Sequence, residues 1–370
     1  MRDARLDVLA KNLLEHSVHI QKGERLMIEG PHDAKPLIHA IISLAGEMGV
    51  QPFVNIRDEE ITSWLLHMAD EPRLVMETGW ELNRYKDIDA DILIETQEND
   101  AEFAMVDANK MQMRSRARRP WVDLITNEKK WVIVSWPTKA QAQKARMPYD
   151  DFCDFIIDTS CVDYSEMGKR MKPLSELFSK TDRVHITGKG TDLSFSIKGI
   201  PNVICAGENN IPDGELYTAP VRDSVEGYLT YNTPCPYHGK VYENVKLVFQ
   251  KGRIVEAHSA NDEDKLNAIF DTDEGARYVG EFALGLNPRI TRAFGNILFD
   301  EKIAGSFHFT PGAAYEKEAD NGNRSAIHWD MVCIQTPELG GGEIYFDGVL
   351  IRKDGKFVLP ELEQLNPEHY

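Results

Sequence analysis

Residues 23–56 read GERLMIEGPHDAKPLIHAIISLAGEMGVQPFVNI. Gly23 breaks a preceding helical pattern, and Arg25–Glu29 (RLMIE) then reads as a strand. Asp33 is placed to cap a helix whose apolar positions include Leu37, Ile38, Ile41, Ile42 and Leu44. Gly49 ends that helix, and Pro52–Ile56 (PFVNI) reads as a second strand. A strand, a helix and a strand in succession point to an α/β layer with a parallel sheet.

The pattern extends in both directions. Upstream, Leu6, Leu9, Ala10, Leu13 and Leu14 recur at helical spacing. Downstream, Asp91–Glu95 (DILIE) and Trp131–Trp136 (WVIVSW) are short apolar runs bounded by polar turns. Beyond about residue 180 the text changes to strands and glycines, as in VHITGKGTDLSFSIKG and VKLVFQKGRIVEAHS. Asp347-Gly348 and Asp354-Gly355 sit between strand-like runs, which is a hairpin signal. A helix is expected at Glu263–Phe270 and another after Asp273. The expected architecture is thus two domains: residues 1–180, an α/β domain with a mostly parallel sheet, and residues 181–370, an α+β domain with a mixed or antiparallel sheet.

Length and charge bound the function. A chain of 370 residues can bury a full core without disulfide staples. The five cysteines are scattered with no CxxC pair, against a disulfide framework or a thiolate zinc site, and they fit a reducing cytoplasm. The first residues, MRDARLDVLAKNLLEHSV, are charged and helical in period, unlike a signal peptide. No run approaches the ~18 apolar residues of a membrane span. A net charge of -18 repels phosphate backbones and anionic membrane surfaces, so neither nucleic acid nor membrane is an expected partner. Arg114, Arg116, Arg118 and Arg119 form a local basic run, expected as an exposed or salt-bridged face.

The chain contains no GxSxG, Walker loop, GxGxxG or HExxH. What remains is a dispersed set of carboxylates and histidines in the second half. Glu215 follows a Pro-Asp-Gly turn in NIPDGELYTAP (Asn210–Pro220) and leads into a strand-like run. A carboxylate there can be aimed into a cleft, although lone glutamates at turns are mostly solvated. Glu281 lies inside the apolar YVGEFALGL (Tyr278–Leu286). Burying it requires a partner, and a metal, an ion pair or an edge position all satisfy that need. His308 lies seven residues past Glu301, and Tyr315 seven past His308, among small residues that let a ligand approach the backbone. A lone histidine in such a stretch is more often structural. His328 and Asp330 are two apart, so on an extended chain they project from one face, with Trp329 facing inward; the pair alone is a weak signal. Together these residues form an oxygen and nitrogen donor set without thiolates, suited to zinc, cobalt or manganese. Their number is enough for two ions, and a pair about 3.5–4 Å apart can activate water and polarise a carbonyl.

In these motifs the chain resembles the M29 family of metallopeptidases, the thermophilic aminopeptidases. The likeness covers IPDGELYTAP, DTDEGARYVGEFALG, the LFDE…H…GAAY stretch and the His-x-Asp pair. It is looser in the first half, through the PT-x-AQA segment (Pro137, Thr138, Ala140, Gln141, Ala142). One departure stands out: the Glu-to-His step in DEKIAGSFH is two residues longer than the DENA-x-CH common in the family. The resemblance implies a two-domain homodimer that removes N-terminal residues from peptides with a free amino end. It implies two divalent metal ions per subunit (zinc, cobalt, manganese or magnesium), held by Glu215, Glu281, His308, His328 and Asp330. It places Glu301 and Tyr315 beside the ions. On that set Glu281 is the candidate bridge between the ions, Glu301 the candidate general base, because a carboxylate beside metal-bound water can accept its proton, and Tyr315 the candidate donor to the oxyanion. Two other readings use the same residues: another metal hydrolase such as an amidase, or a non-catalytic metal-binding protein.

Overall fold

The computed structural model describes residues 3–370. The chain divides into two compact units. One contains the residues up to Cys161 together with Gly207–Pro212; the other contains Val162–Ala206 and Asp213–Tyr370.

The first unit is built on one parallel sheet. Its strands are β1 (Arg25–Gly30), β2 (Gln51–Ile56), β3 (Ala90–Glu95) and β4 (Lys130–Ser135), in the order β2-β1-β3-β4, with the two-residue strand Asn210–Ile211 added beside β4. Every pairing is parallel. β1 and β3 are buried along most of their length, whereas β2 is largely exposed. Pro52 sits in β2, at the edge, where a missing N–H does not interrupt the ladder. The helix Lys35–Glu47 joins β1 to β2 and buries Leu37, Ile38, Ala40, Ile41 and Ala45. Asp33 does not cap it. A 3-10 turn, His32–Ala34, intervenes, and the helix opens at Ala34 with Pro36 in its first turn, so a missing donor replaces the side-chain cap.

Two other sequence features resolve into local structure. The arginine run lies on the helix Ala108–Glu128. There Arg119 pairs with Asp123 at 2.8 Å, Arg118 covers Trp121 at 4.6 Å, and Arg114 lies 5.6 Å from the Phe103 ring. The PT-x-AQA segment forms a capping box. Thr138 accepts from Gln141 N at 3.2 Å, and Gln141 Oε1 accepts from Thr138 N at 3.1 Å, opening the helix Lys139–Lys144.

The second unit contains an eight-stranded and a five-stranded sheet, both antiparallel, and one small hairpin. The hairpin turns expected at Asp347-Gly348 and Asp354-Gly355 are present, with φ of 48° and 82° and of 50° and 82°. The helix Glu263–Phe270 is present, but after Asp273 there is only a 3-10 turn, Gly275–Arg277. Asp273 instead accepts from Ala276 N and Ala326 N and from the Ser325 hydroxyl. All five cysteines are free.

The five-stranded sheet positions the site. Its order is Val332–Ile334, Ser306–Pro311, Val279–Gly285, Glu215–Thr218, Val203–Cys205. Alternation along these strands separates two faces. Phe282 and Phe309 point to one, where they meet Phe195 of the larger sheet, each with ring centroids 5.0 Å away. Glu215, Glu281, His308 and Thr310 fall on the other. The register sets Gly285 opposite Glu215, Ala283 opposite His308 and Glu281 opposite Thr310.

Candidate metal centre

The apolar face explains why Glu281 can sit in a buried strand. Its neighbours Phe282 and Leu284 anchor the strand, while Glu281 turns into a polar cluster on the opposite side. Oε1 lies 3.0 Å from His308 Nε2 and Oε2 3.3 Å from His328 Nε2, so each carboxylate oxygen faces one imidazole. Burial opposes its charge, but the two imidazoles outweigh that and hold its carboxyl below the usual range.

His328 and Asp330 project together, with Trp329 turned inward against Tyr237 at 4.8 Å. His328 Nδ1 donates to the Ala313 carbonyl at 2.8 Å, which fixes the tautomer of the neutral ring. Its Nε2 then faces Asp330 Oδ1 at 3.2 Å and Glu281 Oε2 at 3.3 Å without a hydrogen bond to either. A lone pair aimed between two carboxylate oxygens is repulsive unless a cation stands there. In the metal-free chain a proton takes that place. Burial alone would lower the pKa of His328, but Asp330 and Glu281 push it up to about 12. The same applies to His308, buried and facing Glu281 and Glu215 (3.4 Å), whose pKa rises to about 9 against the cost of burial. Thr310 donates to Asp330 Oδ1 at 2.7 Å. Burial works against the charge of Asp330, but His328, His308 and Thr310 prevail and hold its carboxyl below the usual range.

Glu215 is buried rather than solvated at its turn. With Glu301 and His308 it forms one group of donor atoms all within 4.8 Å of one another, and Glu281, His328 and Asp330 form a second. The longer Glu-to-His step therefore still delivers Glu301 beside His308. The extra residues form the turn from the short helix Ile297–Asp300 into the strand Ser306–Pro311. Gly285 admits that turn. A Cβ there would stand 2.4 Å from the Ile303 carbonyl oxygen and 2.9 Å from that of Glu301. Asp300 faces away, accepting from Phe294 N and Gly295 N.

Lys302 escaped the reading of the sequence. It is 1% exposed, and its Nζ lies 2.6 Å from Glu215 Oε1, 2.5 Å from Glu301 Oε1 and 3.7 Å from Asp213 Oδ1. Burial disfavours its charge, yet these three carboxylates hold it firmly protonated. A lysine after Asp-Glu reads as surface; only the buried turn places it inside. Burial raises Glu215, with Lys302 opposing, and raises Glu301 to about 7. Tyr315 lies over His328, with centroids 5.0 Å apart, and keeps 46% of its surface accessible. Burial of the hydroxyl and the nearby Glu281, Asp330, Glu301 and Glu215 keep it protonated.

Comparison with known proteins fits this geometry. The family model for the thermophilic metalloproteases (M29) matches residues 2–357. The chain belongs to the M29 family. It is therefore a peptidase, a hydrolase of peptide bonds, of a class that requires a divalent metal. The M29 relatives include aminopeptidase AmpS of Bacillus subtilis, 24% identical over 95% of this chain and 96% of that one. They also include aminopeptidase T of Thermus thermophilus, 25% identical over 93% and 95%. The solved structure of wild-type AmpT from Thermus thermophilus superposes with a TM-score of 0.82 at 22% identity, covering 96% of this chain and 99% of that one, and shows the same fold.

Proposed function

We propose that this M29 peptidase is an aminopeptidase that removes N-terminal residues from peptides, using two divalent ions held by Glu215, Glu281, His308, His328 and Asp330. The observation that carries the metal reading is the position of His328 Nε2, between Glu281 Oε2 and Asp330 Oδ1 with Nδ1 on the Ala313 carbonyl, so that a neutral ring aims its lone pair between two carboxylates. The two oxygens of Glu281, each facing a different histidine, suit a carboxylate shared by two ions. Charge supports the same number. Asp213, Glu215, Glu281, Glu301 and Asp330 carry five negative charges and Lys302 returns one, so with neutral imidazoles two divalent ions bring the cluster to neutrality. The step to an aminopeptidase follows the names of the relatives. The donor set of oxygen and nitrogen atoms suits zinc, cobalt, manganese or magnesium.

When bound, such ions lower the pKa of water and polarise a carbonyl. The chain supplies the rest. Glu301, held by Lys302 through Oε1 beside Glu215 and His308, is placed to accept a proton from the attacking water. Tyr315, protonated and partly accessible, can donate its hydroxyl to the oxygen on which charge develops. The substitution Glu301→Gln tests the base. We expect turnover of an aminoacyl-p-nitroanilide to fall by ~10²-fold or more with metal content retained; wild-type turnover would remove Glu301 from that role, and full activity on N-acetylated peptides would refute the aminopeptidase reading.

We also propose a homodimer in a reducing, cytoplasmic setting, which the free thiols fit. The helices Glu59–Met68 and Glu71–Tyr85 expose Ile61, Trp64 and Met68, and Met76 and Trp80, at helical spacing, an apolar surface of the kind subunit contacts cover. Light scattering that returns a monomer mass would contradict it.

A further inference from the structure

Lys302 divides the metal centre into unequal halves. Glu215 presents two oxygens in different surroundings: Oε1 accepts from the Lys302 ammonium at 2.6 Å, whereas Oε2 is buried without a hydrogen bond, 3.4 Å from His308 Nε2. Glu301 Oε1 accepts from the same ammonium at 2.5 Å. Both carboxylates of the group Glu215, Glu301 and His308 therefore already share their charge with a cation of the chain. In the group Glu281, His328 and Asp330 the carboxylates face imidazoles, and the further donor to Asp330 is the neutral Thr310 hydroxyl at 2.7 Å. Among the described residues, no lysine or arginine lies within ion-pair distance of Glu281 or Asp330.

The ammonium cannot withdraw. Lys302 is 1% exposed, and Asp213 Oδ1 is a third anion 3.7 Å from its Nζ. Its backbone is pinned on both sides: its carbonyl accepts from Asn287 N at 2.9 Å, and its N–H donates to the Phe299 carbonyl at 3.0 Å. Moving a buried charge away from its carboxylates would leave it uncompensated. A divalent ion entering the group Glu215, Glu301 and His308 must therefore share two donors with a fixed cation. Their repulsion acts at short range, where burial limits screening by water and salt. The group Glu281, His328 and Asp330 imposes no such cost.

We infer, on the two-ion reading of this centre, that Lys302 makes the ion at Glu215, Glu301 and His308 the weaker and exchangeable one. The centre then fills in two steps, Glu281, His328 and Asp330 first, and the free divalent-metal concentration sets the share of chains that carry both ions. A neutral residue at position 302 removes the repulsion and tightens the second step.

Dialysis of the full-length protein against graded free cobalt(II) tests this, with native mass spectrometry resolving chains that carry none, one and two ions. The wild type should pass through a one-ion species over at least a ~10-fold range of free cobalt, and Glu215→Gln should stop at that species. Lys302→Met should reach two ions at a free cobalt concentration at least ~10-fold lower than the wild type does. Lys302→Gln, which can still donate to one of the carboxylates, should shift the same way and stands in if the methionine variant does not fold. Filling of both sites in one step by the wild type, or unchanged filling in both Lys302 variants, would overturn the role of Lys302 and leave the two-ion reading intact. One ion at saturating cobalt in the wild type and in both Lys302 variants would overturn the two-ion reading itself, and the stepwise filling with it.

Discussion

The ammonium of Lys302 lies 2.6 Å from Glu215 Oε1 in a part of the protein closed to solvent. It also binds Glu301, so one cation holds two carboxylates that both face His308. Removing it leaves buried charges uncompensated. Lys302→Met, close in volume, should destabilise the chelator-treated protein by roughly 3–5 kcal/mol. Calorimetric melts with and without chelator check this: the deficit should shrink when metal is present, since added cations take over part of the compensation. Equal melting of variant and wild type in chelator would show that the ammonium is not needed there.

Metal uptake should release protons. In the metal-free chain the pKa values of His308 and His328 are raised to about 9 and about 12, so both rings are charged at neutral pH. Ligation requires neutral rings, so binding should expel up to two protons per chain and strengthen as pH rises. Titration calorimetry at pH 7.5 in buffers of different ionisation enthalpy measures the number. The raised pKa of His308 has a second consequence. The stability it gives the metal-free chain is complete below the unfolded value, near 6.5, and is lost as pH rises through about 9. The melting temperature of the chelated protein should therefore fall across that interval.

The helical and strand runs that open this chain were legible because their apolar periods are long and their breaks are glycines. The His-x-Asp pair was legible for the same reason, since a period of two puts His328 and Asp330 on one face whatever surrounds them. Glu281 was conspicuous as a carboxylate among Phe282, Ala283 and Leu284, although its partners were not. Lys302, Asp213 and Thr310 gave no signal. Each becomes polar machinery only through cross-strand register or a buried turn, contacts that span tens of residues. Local chemistry misled twice: Asp33 promises a helix cap, but a 3-10 turn intervenes, and the helix expected after Asp273 is only the 3-10 turn Gly275–Arg277, with Asp273 also bound to Ser325 and Ala326. The return of residues 207–212 to the first unit's sheet rests on a two-residue strand, too short to carry a pattern.

Gly285 is required by space. Gly285→Ala would drive a methyl into the carbonyls of Ile303 and Glu301, both backbone atoms that cannot swing aside. The expected cost is roughly 1–3 kcal/mol of stability. The displaced Glu301 should also lower turnover more than it lowers metal content. A variant with wild-type melting and kinetics would mean the turn is free to move.

Tyr315→Phe removes one hydroxyl and leaves the ring on His328. If that hydroxyl stabilises developing charge, kcat should fall ~10²–10³-fold with metal content unchanged. A rise in KM alone would make Tyr315 a substrate-binding residue instead.

The claim on which the account turns is that two carboxylate-histidine groups sharing Glu281 hold two ions. Counting bound metal by native mass spectrometry, beside elemental analysis of the same sample, tests it most directly. Two divalent ions per chain are predicted for the wild type and at most one for Glu281→Ala. A single ion in the wild type, or an unchanged count in the variant, would contradict it.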